Sequence, residues 1–310
     1  MKRFFSLLLC TAMLFSLISC GKDGTEPPVT DSGSGGTSDA SDNVPAPKLD
    51  FETLNVELAI EGAEVDALMT LGRELDALLE DALEAEGVEV DDIHVTFGTS
   101  SAATTAALRA GNVQLAWLPV RTYVDHAEGI TPVLGVEMEE GCYIYAAPSD
   151  AGHALGSDPT WDEISGLSWG LQQEYSLCGF WYPTLYLADK HDGRTTEDLE
   201  NAVFFESFDD ALESARRGEV DVVVTDAPVT EEGFTLLADF SPVFSGVVAV
   251  TNANEVVASD AFCQKLEAAV LSLCKAEPAR GLLQSCGQDV CRAVTDADFD
   301  PLRRIFSMGY

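Results

Sequence analysis

Basic residues are scarce in this chain: 17 Lys and Arg stand against 53 Asp and Glu, for a formal net charge of −36. A surface this acidic repels nucleic acid, which is not expected as a partner, and it repels anionic lipid headgroups too. Histidine is rarer still, with 4 in 310 residues. No CxxC pair occurs, and no histidine falls near the C-terminal cysteines, so a zinc site lacks its ligand spacing. The Gly-rich phosphate loop, HExxH and GxSxG are all missing, and neither a cofactor nor a metal is expected. Catalysis has one opening, Cys178 at a helix start, where a thiol ionises more readily. Its nearest histidines, His153 and His191, lie in no recognisable Cys/His signature. Long hydrophobic runs are missing beyond the first 20 residues, so nothing there is expected to span a membrane.

What the chain does have begins at its N-terminus. Lys2-Arg3 precedes an almost wholly apolar run from Phe4 to Phe15, closed by Leu17-Ile18-Ser19-Cys20. This is the three-part build of a signal peptide. The run is shorter than the ~20 residues of a transmembrane helix. Leu three residues before Cys20, with a small residue directly before it, resembles a bacterial lipobox. The resemblance implies that residues 1–19 are a lipoprotein signal peptide and that Cys20 is lipidated by palmitate-type chains. The mature chain would then sit on the extracytoplasmic face of the cell membrane. An ordinary signal peptide or short anchor is the plain alternative. From Gly21 to Pro47 the chain is Gly, Ser, Thr, Asp and Pro with almost no large apolar residue. Such a stretch cannot offset its ordering entropy, so residues 20–50 read as a flexible lipid-anchored linker. Losing Lys2 and Arg3 leaves 15 basic residues against 53 acidic ones, a net charge of −38. Solubility of an exported protein is the simplest account of that charge.

Six cysteines remain after Cys10 and Cys20: Cys142, Cys178, Cys263, Cys274, Cys286 and Cys291. An even number in an exported chain permits disulfides, and the last four fall within 29 residues, so a bridge among them is expected with its pairing open.

The remaining ~255 residues suffice for two lobes. Asn55 to Ile60 alternates as a strand does. Val65 to Ala85 carries Leu68, Leu71, Leu75, Leu78, Leu79 and Leu83 at helical spacing and stops at Gly87. Ile93 to Phe97 is a second strand, Gly98 to Ser101 a turn into an Ala-rich helix, and Val113 to Leu118 a third strand. Such alternation predicts a parallel α/β sheet. There is also a faint echo. Leu108 to Leu118 and Ala215 to Thr225, 107 residues apart, share one layout: a helix end with Arg, a Gly stop and a strand entered through Val. Cys142 to Ala147 reads as a strand crossing between lobes and Phe244 to Val250 as the return strand. Helices over Asp260 to Cys274 and Glu277 to Ser285 are expected to pack back on the first lobe. This puts residues 51–146 and 235–310 in lobe one and 147–234 in lobe two, with a hinge between them.

Ala107 to Val124 resembles a landmark of the solute-binding proteins of phosphate, phosphite and phosphonate ABC transporters, A-L-R-x-G-x-V-D-I-A-W-L-G-P-x-S-Y-V. Tyr123 falls on that family's ligand-facing tyrosine, and its Gly-Pro pair becomes Pro119-Val120. Ser176 to Pro183 is similar to S-T-S-G-Y-x-x-P, in which hydroxyls and helix-start amides hold phosphoryl oxygens. Ser176 and Gly179 keep their places, whereas Leu177 and Cys178 replace hydroxyls. Asp226 matches an acidic residue at the end of a second-lobe strand, and Phe208 stands where the family has an anion-pairing His. Over roughly Leu54 to Val250 the resemblance implies a two-lobed type II periplasmic-binding-protein fold with an interlobe cleft. It implies a monomer that captures a small anionic, phosphonate-like solute and delivers it to a transporter permease. A ligand-sensing surface lipoprotein without a transporter is the alternative, and a Cys178-dependent enzyme a more distant one.

The candidate binding residues each have a plainer role beside the functional one. Tyr123 is a ligand contact or an ordinary half-buried Tyr with its hydroxyl satisfied. Ser176 holds an anion or caps a helix. Asp226 lines a pocket or starts a turn. Thr99, Ser100 and Ser101 sit where open α/β sheets place ligand contacts, and also where helices are capped. Trp181 could stack on a ligand. Trp117 reads as core, and Arg121, a basic residue at the first landmark, is either solvated or pocket-facing.

Overall fold

The computed structural model of the chain describes residues 49–309, the side chains of Asp50 and Phe51 apart. The signal peptide, Cys20 and nearly all of the 20–50 linker lie outside the described residues. No helix among the described residues is long and apolar enough to cross a membrane.

Two mixed sheets carry an α/β fold of two lobes. The first has six strands in the order Cys291–Ala293, Ile130–Glu137, Phe244–Thr251, Leu115–Pro119, Leu54–Leu58 and Ile93–Phe97. Leu54–Leu58 runs parallel to both its neighbours, and Phe244–Thr251 runs antiparallel to both of its own. The second has five: Thr235–Asp239, Tyr143–Ala146, Val222–Thr225, Ser168–Leu171 and Asn201–Phe204, the last three mutually parallel. Leu115 to Leu118 and Val222 to Thr225 are buried along their whole length, the pattern of strands covered on both faces.

The helices form where the apolar spacing and caps put them. Val65–Ala85 buries Leu71, Leu75, Leu79 and Leu83 and packs on Asp260–Leu273 and Ala279–Gln284. Ser100 caps Ser101–Arg109 by accepting from Ala103 N, and Ser207 caps Phe208–Arg216 by accepting from Asp210 N. A C-terminal helix, Asp300–Met308, buries Leu302 and Ile305 and packs on helices of both lobes, Val120–His126 and Tyr182–Lys190.

The lobe boundary differs by a few residues from the sequence expectation. Tyr143–Ala146 and Thr235–Asp239, placed with lobe one by position, ladder to each other and to Val222–Thr225 in the second sheet. A β-rich run reads alike in either sheet, and only its hydrogen-bond partner decides. The chain crosses in two short segments, 138–142 and 240–243, which are tied together: Phe240 N donates to Cys142 O at 2.9 Å and Met138 N to Val243 O at 2.8 Å.

All six described cysteines are free thiols, against the expected bridge. Cys263 Sγ lies 3.7 Å from Val257 O and Cys286 Sγ 3.8 Å from Ser285 Oγ, while Cys274 and Cys291 hydrogen-bond each other and share Gln288 O at 3.9 and 3.3 Å.

Candidate functional site

Parallel strands in an open α/β sheet expose their carboxyl ends and the following helix starts, which is where such sheets bind ligands. Five strand ends from the two sheets converge here on one cavity of about 680 Å³. Leu54–Leu58 leads to Glu61, and Leu115–Pro119 to Val120 and Arg121. In the second sheet Ser168–Leu171 leads to Gln172, Asn201–Phe204 to the 206–209 turn, and Val222–Thr225 to Asp226. Met138 and Glu140 of the first crossing segment and Phe306 of the C-terminal helix also line it. Another cavity of about 690 Å³ lies within the second lobe, around Trp161, Lys190 and Arg194, and holds none of the candidate residues.

Of the sequence candidates, Ser176 and Asp226 line the interlobe cavity. Ser176 Oγ also accepts from Gly179 N at 2.9 Å, so the capping role is filled there. Gly179 does not line the cavity, but it shapes it. A Cβ at Gly179 would lie 2.1 Å from Gln172 Cγ, so only glycine lets the Gln172 side chain lie across it.

Tyr123 does not line the cavity. Its ring is fully buried and packs edge-on against Phe299 at 5.0 Å, while its hydroxyl donates to Asp296. Burial, and then the Asp296 carboxylate, push its pKa up. Burial acts to raise Asp296, but hydrogen bonds from Tyr123 and Arg303 hold it below the ordinary range. The Thr99–Ser101 turn is also outside the lining. Ser100 serves as a cap, and Ser101 Oγ donates to Glu61 Oε1 at 2.8 Å, which links the turn to the site through Glu61. Trp181 turns its indole N–H to Glu174 O and lines a separate cavity of about 390 Å³. Trp117 is core, 2 % exposed, as expected.

Cys178 lines the cavity, yet its thiol is pushed up to about 12, by burial first and then by the carboxylates of Glu140 and Asp226. It stays a thiol at neutral pH, which is the opposite of an activated nucleophile. Residues that sequence reasoning missed are Glu61, Glu140, Glu206, Asp209 and Gln172. Gln172 is 8 % exposed, and its buried Nε2 has no hydrogen-bond partner. The available signal was positional: Gln172 is the first residue after a second-lobe parallel strand.

No curated protein sequence matches this chain. Among solved structures, a phosphonate-binding PhnD1 from Prochlorococcus marinus in complex with methylphosphonate is 15% identical over 83% of this chain and 98% of its own, with a TM-score of 0.43. The binding component of an ABC phosphonate transporter from Pseudomonas aeruginosa is 15% identical over 83% and 86%, at 0.40. A TctC solute-binding protein from Polaromonas is 15% identical over 83% and 96%, at 0.47. Residues 64–299 match the family model described as ABC transporter, phosphonate, periplasmic substrate-binding protein, and the chain belongs to that family.

Proposed function

We propose that this substrate-binding protein is tethered outside the cell membrane through lipid on Cys20, acts as a monomer, captures a small solute between its two lobes and hands it to a transporter permease. The observation that carries this reading is the interlobe cavity of about 680 Å³, walled by strand ends of both sheets and by the first of two hydrogen-bonded crossing segments. Two such segments give a hinge about which the lobes can close on a ligand. We place Ser176, Asp226, Gln172 and Glu140 around the solute, with Gly179 making room for Gln172. The lining departs from what a phosphonate-like anion would require. Leu177 and Cys178 bring no hydroxyls, and the lining is rich in carboxylates.

The test is calorimetry and thermal unfolding of the mature chain against oxyanions, phosphonates, sulfonates and small amines. A specific solute at 100 times its Kd should stabilise the protein by ~2.7 kcal/mol. No stabilisation by any class would remove solute capture. Cys20→Ala should release the chain from the membrane fraction or block its processing, and unchanged fractionation and mass would reject the lipid anchor.

A further inference from the structure

Building on the solute-capture reading, we propose that the captured solute is a small organic cation: an amine that also carries a hydrogen-bond acceptor. The cavity has carboxylates at Glu61, Glu140, Glu206, Asp209 and Asp226, against one guanidinium, Arg121. That guanidinium is already engaged. Its Nε lies 3.1 Å from Asp125 Oδ2, and its central carbon lies 4.4 Å from the centroid of the Phe306 ring. None of the five carboxylates is in an ion pair with a Lys, Arg or His among the described residues. An entering dianion would therefore meet a wall of its own sign. The helix Phe208–Arg216 starts at the cavity, but Asp209 and Asp210 already occupy its positive end.

A second observation stands apart from the charges. Gln172 lines the same cavity, is 8 % exposed, and keeps its amide Nε2 buried with no partner. Buried donors in folded proteins are nearly always paired, so this one awaits an acceptor that the solute would bring. Gly179 supports the same arrangement, because any side chain there would strike Gln172. A carbonyl or hydroxyl on the solute satisfies the amide, and an ammonium satisfies the carboxylates.

A further fact narrows the cation. The five carboxylates come from separate strand ends, turns and the first crossing segment, so the negative charge is spread around the cavity. Aromatic rings also line the cavity at Tyr175, Phe208 and Phe306, and Phe306 already carries a guanidinium on its face. Such faces attract ammonium groups.

The experiment is titration calorimetry on the mature lipidated chain in detergent, at fixed ionic strength. The probes are β-alaninamide, ethanolamine, putrescine, methylphosphonate and inorganic phosphate. The amines should bind more tightly than either anion. Glu140→Gln with Asp226→Asn should weaken the amines at least about tenfold, the loss expected for a charge-assisted hydrogen bond, while methylphosphonate binding strengthens. A misfolded variant would lose both classes, so the opposed signs separate recognition from damage. Gln172→Leu should weaken β-alaninamide about three- to tenfold and leave putrescine, which has no acceptor, unchanged. Phosphate or methylphosphonate binding more tightly than every amine would overturn the cation and leave solute capture standing. Equal responses of both classes in a carboxylate variant that unfolds at the parent's temperature would overturn it too. Silence from all five probes would overturn it and remove the support for capture as well.

Discussion

The two echoed units, Leu108 to Leu118 and Ala215 to Thr225, end their helices in the same way. Gly111 N donates to Leu108 O and Asn112 N to Ala107 O, just as Gly218 N donates to Ala215 O and Glu219 N to Ser214 O. This is the double hydrogen bond of a Schellman cap. The same cap ends Val65–Ala85 at Gly87 and Ala279–Gln284 at Gly287, so the echo is the local physics of stopping a helix rather than a sign of copying. A deeper likeness sits at positions that differ in sequence. Gln114 accepts from Asn55 N at 2.9 Å, and Asp221 accepts from Ser168 N at 3.0 Å, each fixing the start of the neighbouring parallel strand. The units part company after their strands. One delivers Arg121 to the cavity and the other Asp226. A shared scaffold thus presents opposite charges at two strand ends.

The strongest way to break the equivalence is to empty the matching strand positions Trp117 and Val224. Both are nearly fully buried. Trp117→Ala should cost about 3–5 kcal/mol, the usual range for a buried aromatic. Val224→Ala should cost roughly 2 kcal/mol, near the burial value of its side chain. Urea denaturation measures both, and equal losses would mean that the two sheets do not carry comparable cores. Trp117→Phe should cost much less than Trp117→Ala, because the Trp117 Nε1 it removes is buried without a partner.

Next comes the pair that anchors the strand starts. Asp221 takes hydrogen bonds from Ser149 Oγ and from both N and Oγ of Ser168, whereas the neutral Gln114 amide accepts from Asn55 and donates to Gly111 O. Asp221→Ala should therefore cost about 2–4 kcal/mol and Gln114→Ala about 1 kcal/mol, since bonds to a charged acceptor are the stronger. Burial opposes the Asp221 charge, but the serine hydrogen bonds outweigh it and hold its carboxyl below the usual range. The sign follows. The folded state holds the proton less well than the unfolded one, so this contribution is complete above the unfolded pKa of about 3.9. It fades as pH falls from there through the lower folded value. Stability measured from pH 6 down to 2 should drop less steeply in Asp221→Asn than in the parent chain.

What could be read beforehand follows the same division between local and long-range causes. Caps, helix stops and strand starts depend on a few neighbouring residues, so the elements around Gly111 and Gly218 were legible. Ser176 and Asp226 were legible for the same reason, each standing at a helix start or a strand end. Tyr123 was not. Whether its hydroxyl meets a ligand or Asp296 is settled by the C-terminal segment, 173 residues away. Gln172 carries no motif. Its unpaired amide exists only because Gly179 leaves space and the second lobe buries it. The sheet membership of Tyr143–Ala146 was hidden likewise, since the partner strand decides it.

Tyr123 and Asp226 make the third comparison, a buried anchor against a cavity wall. Tyr123→Phe removes one hydrogen bond to a carboxylate, for an expected loss of about 1.5–3 kcal/mol in stability with solute affinity unchanged. Asp226→Asn should leave the melting temperature within about 2 °C, as surface changes do, and alter affinity instead. Calorimetry beside thermal unfolding separates the two. A drop in affinity from Tyr123→Phe, in a variant that remains folded, would return this residue to the binding site.

The smallest effect sharpens the comparison most. Gly111 and Gly218 sit at φ +76° and +70°, in the left-handed region where a Cβ is penalised by about 1–2 kcal/mol. Backbone strain alone predicts equal losses for Gly111→Ala and Gly218→Ala. The surroundings differ, however. A Cβ at Gly218 meets nothing within 4 Å, whereas one at Gly111 comes to 3.0 Å from the Ala253 Cβ in the turn after Phe244–Thr251. That contact is backbone-fixed on both sides, because an alanine methyl has no rotamer by which to move away. Gly111→Ala should therefore lose more stability than Gly218→Ala, and adding Ala253→Gly should bring its loss down toward that of Gly218→Ala, after allowing for the cost of Ala253→Gly alone. A double-mutant cycle in urea tests this. A coupling of zero between positions 111 and 253 would show that the two caps are equivalent in energy as well as in hydrogen bonding, and that the first-lobe turn yields to the added methyl.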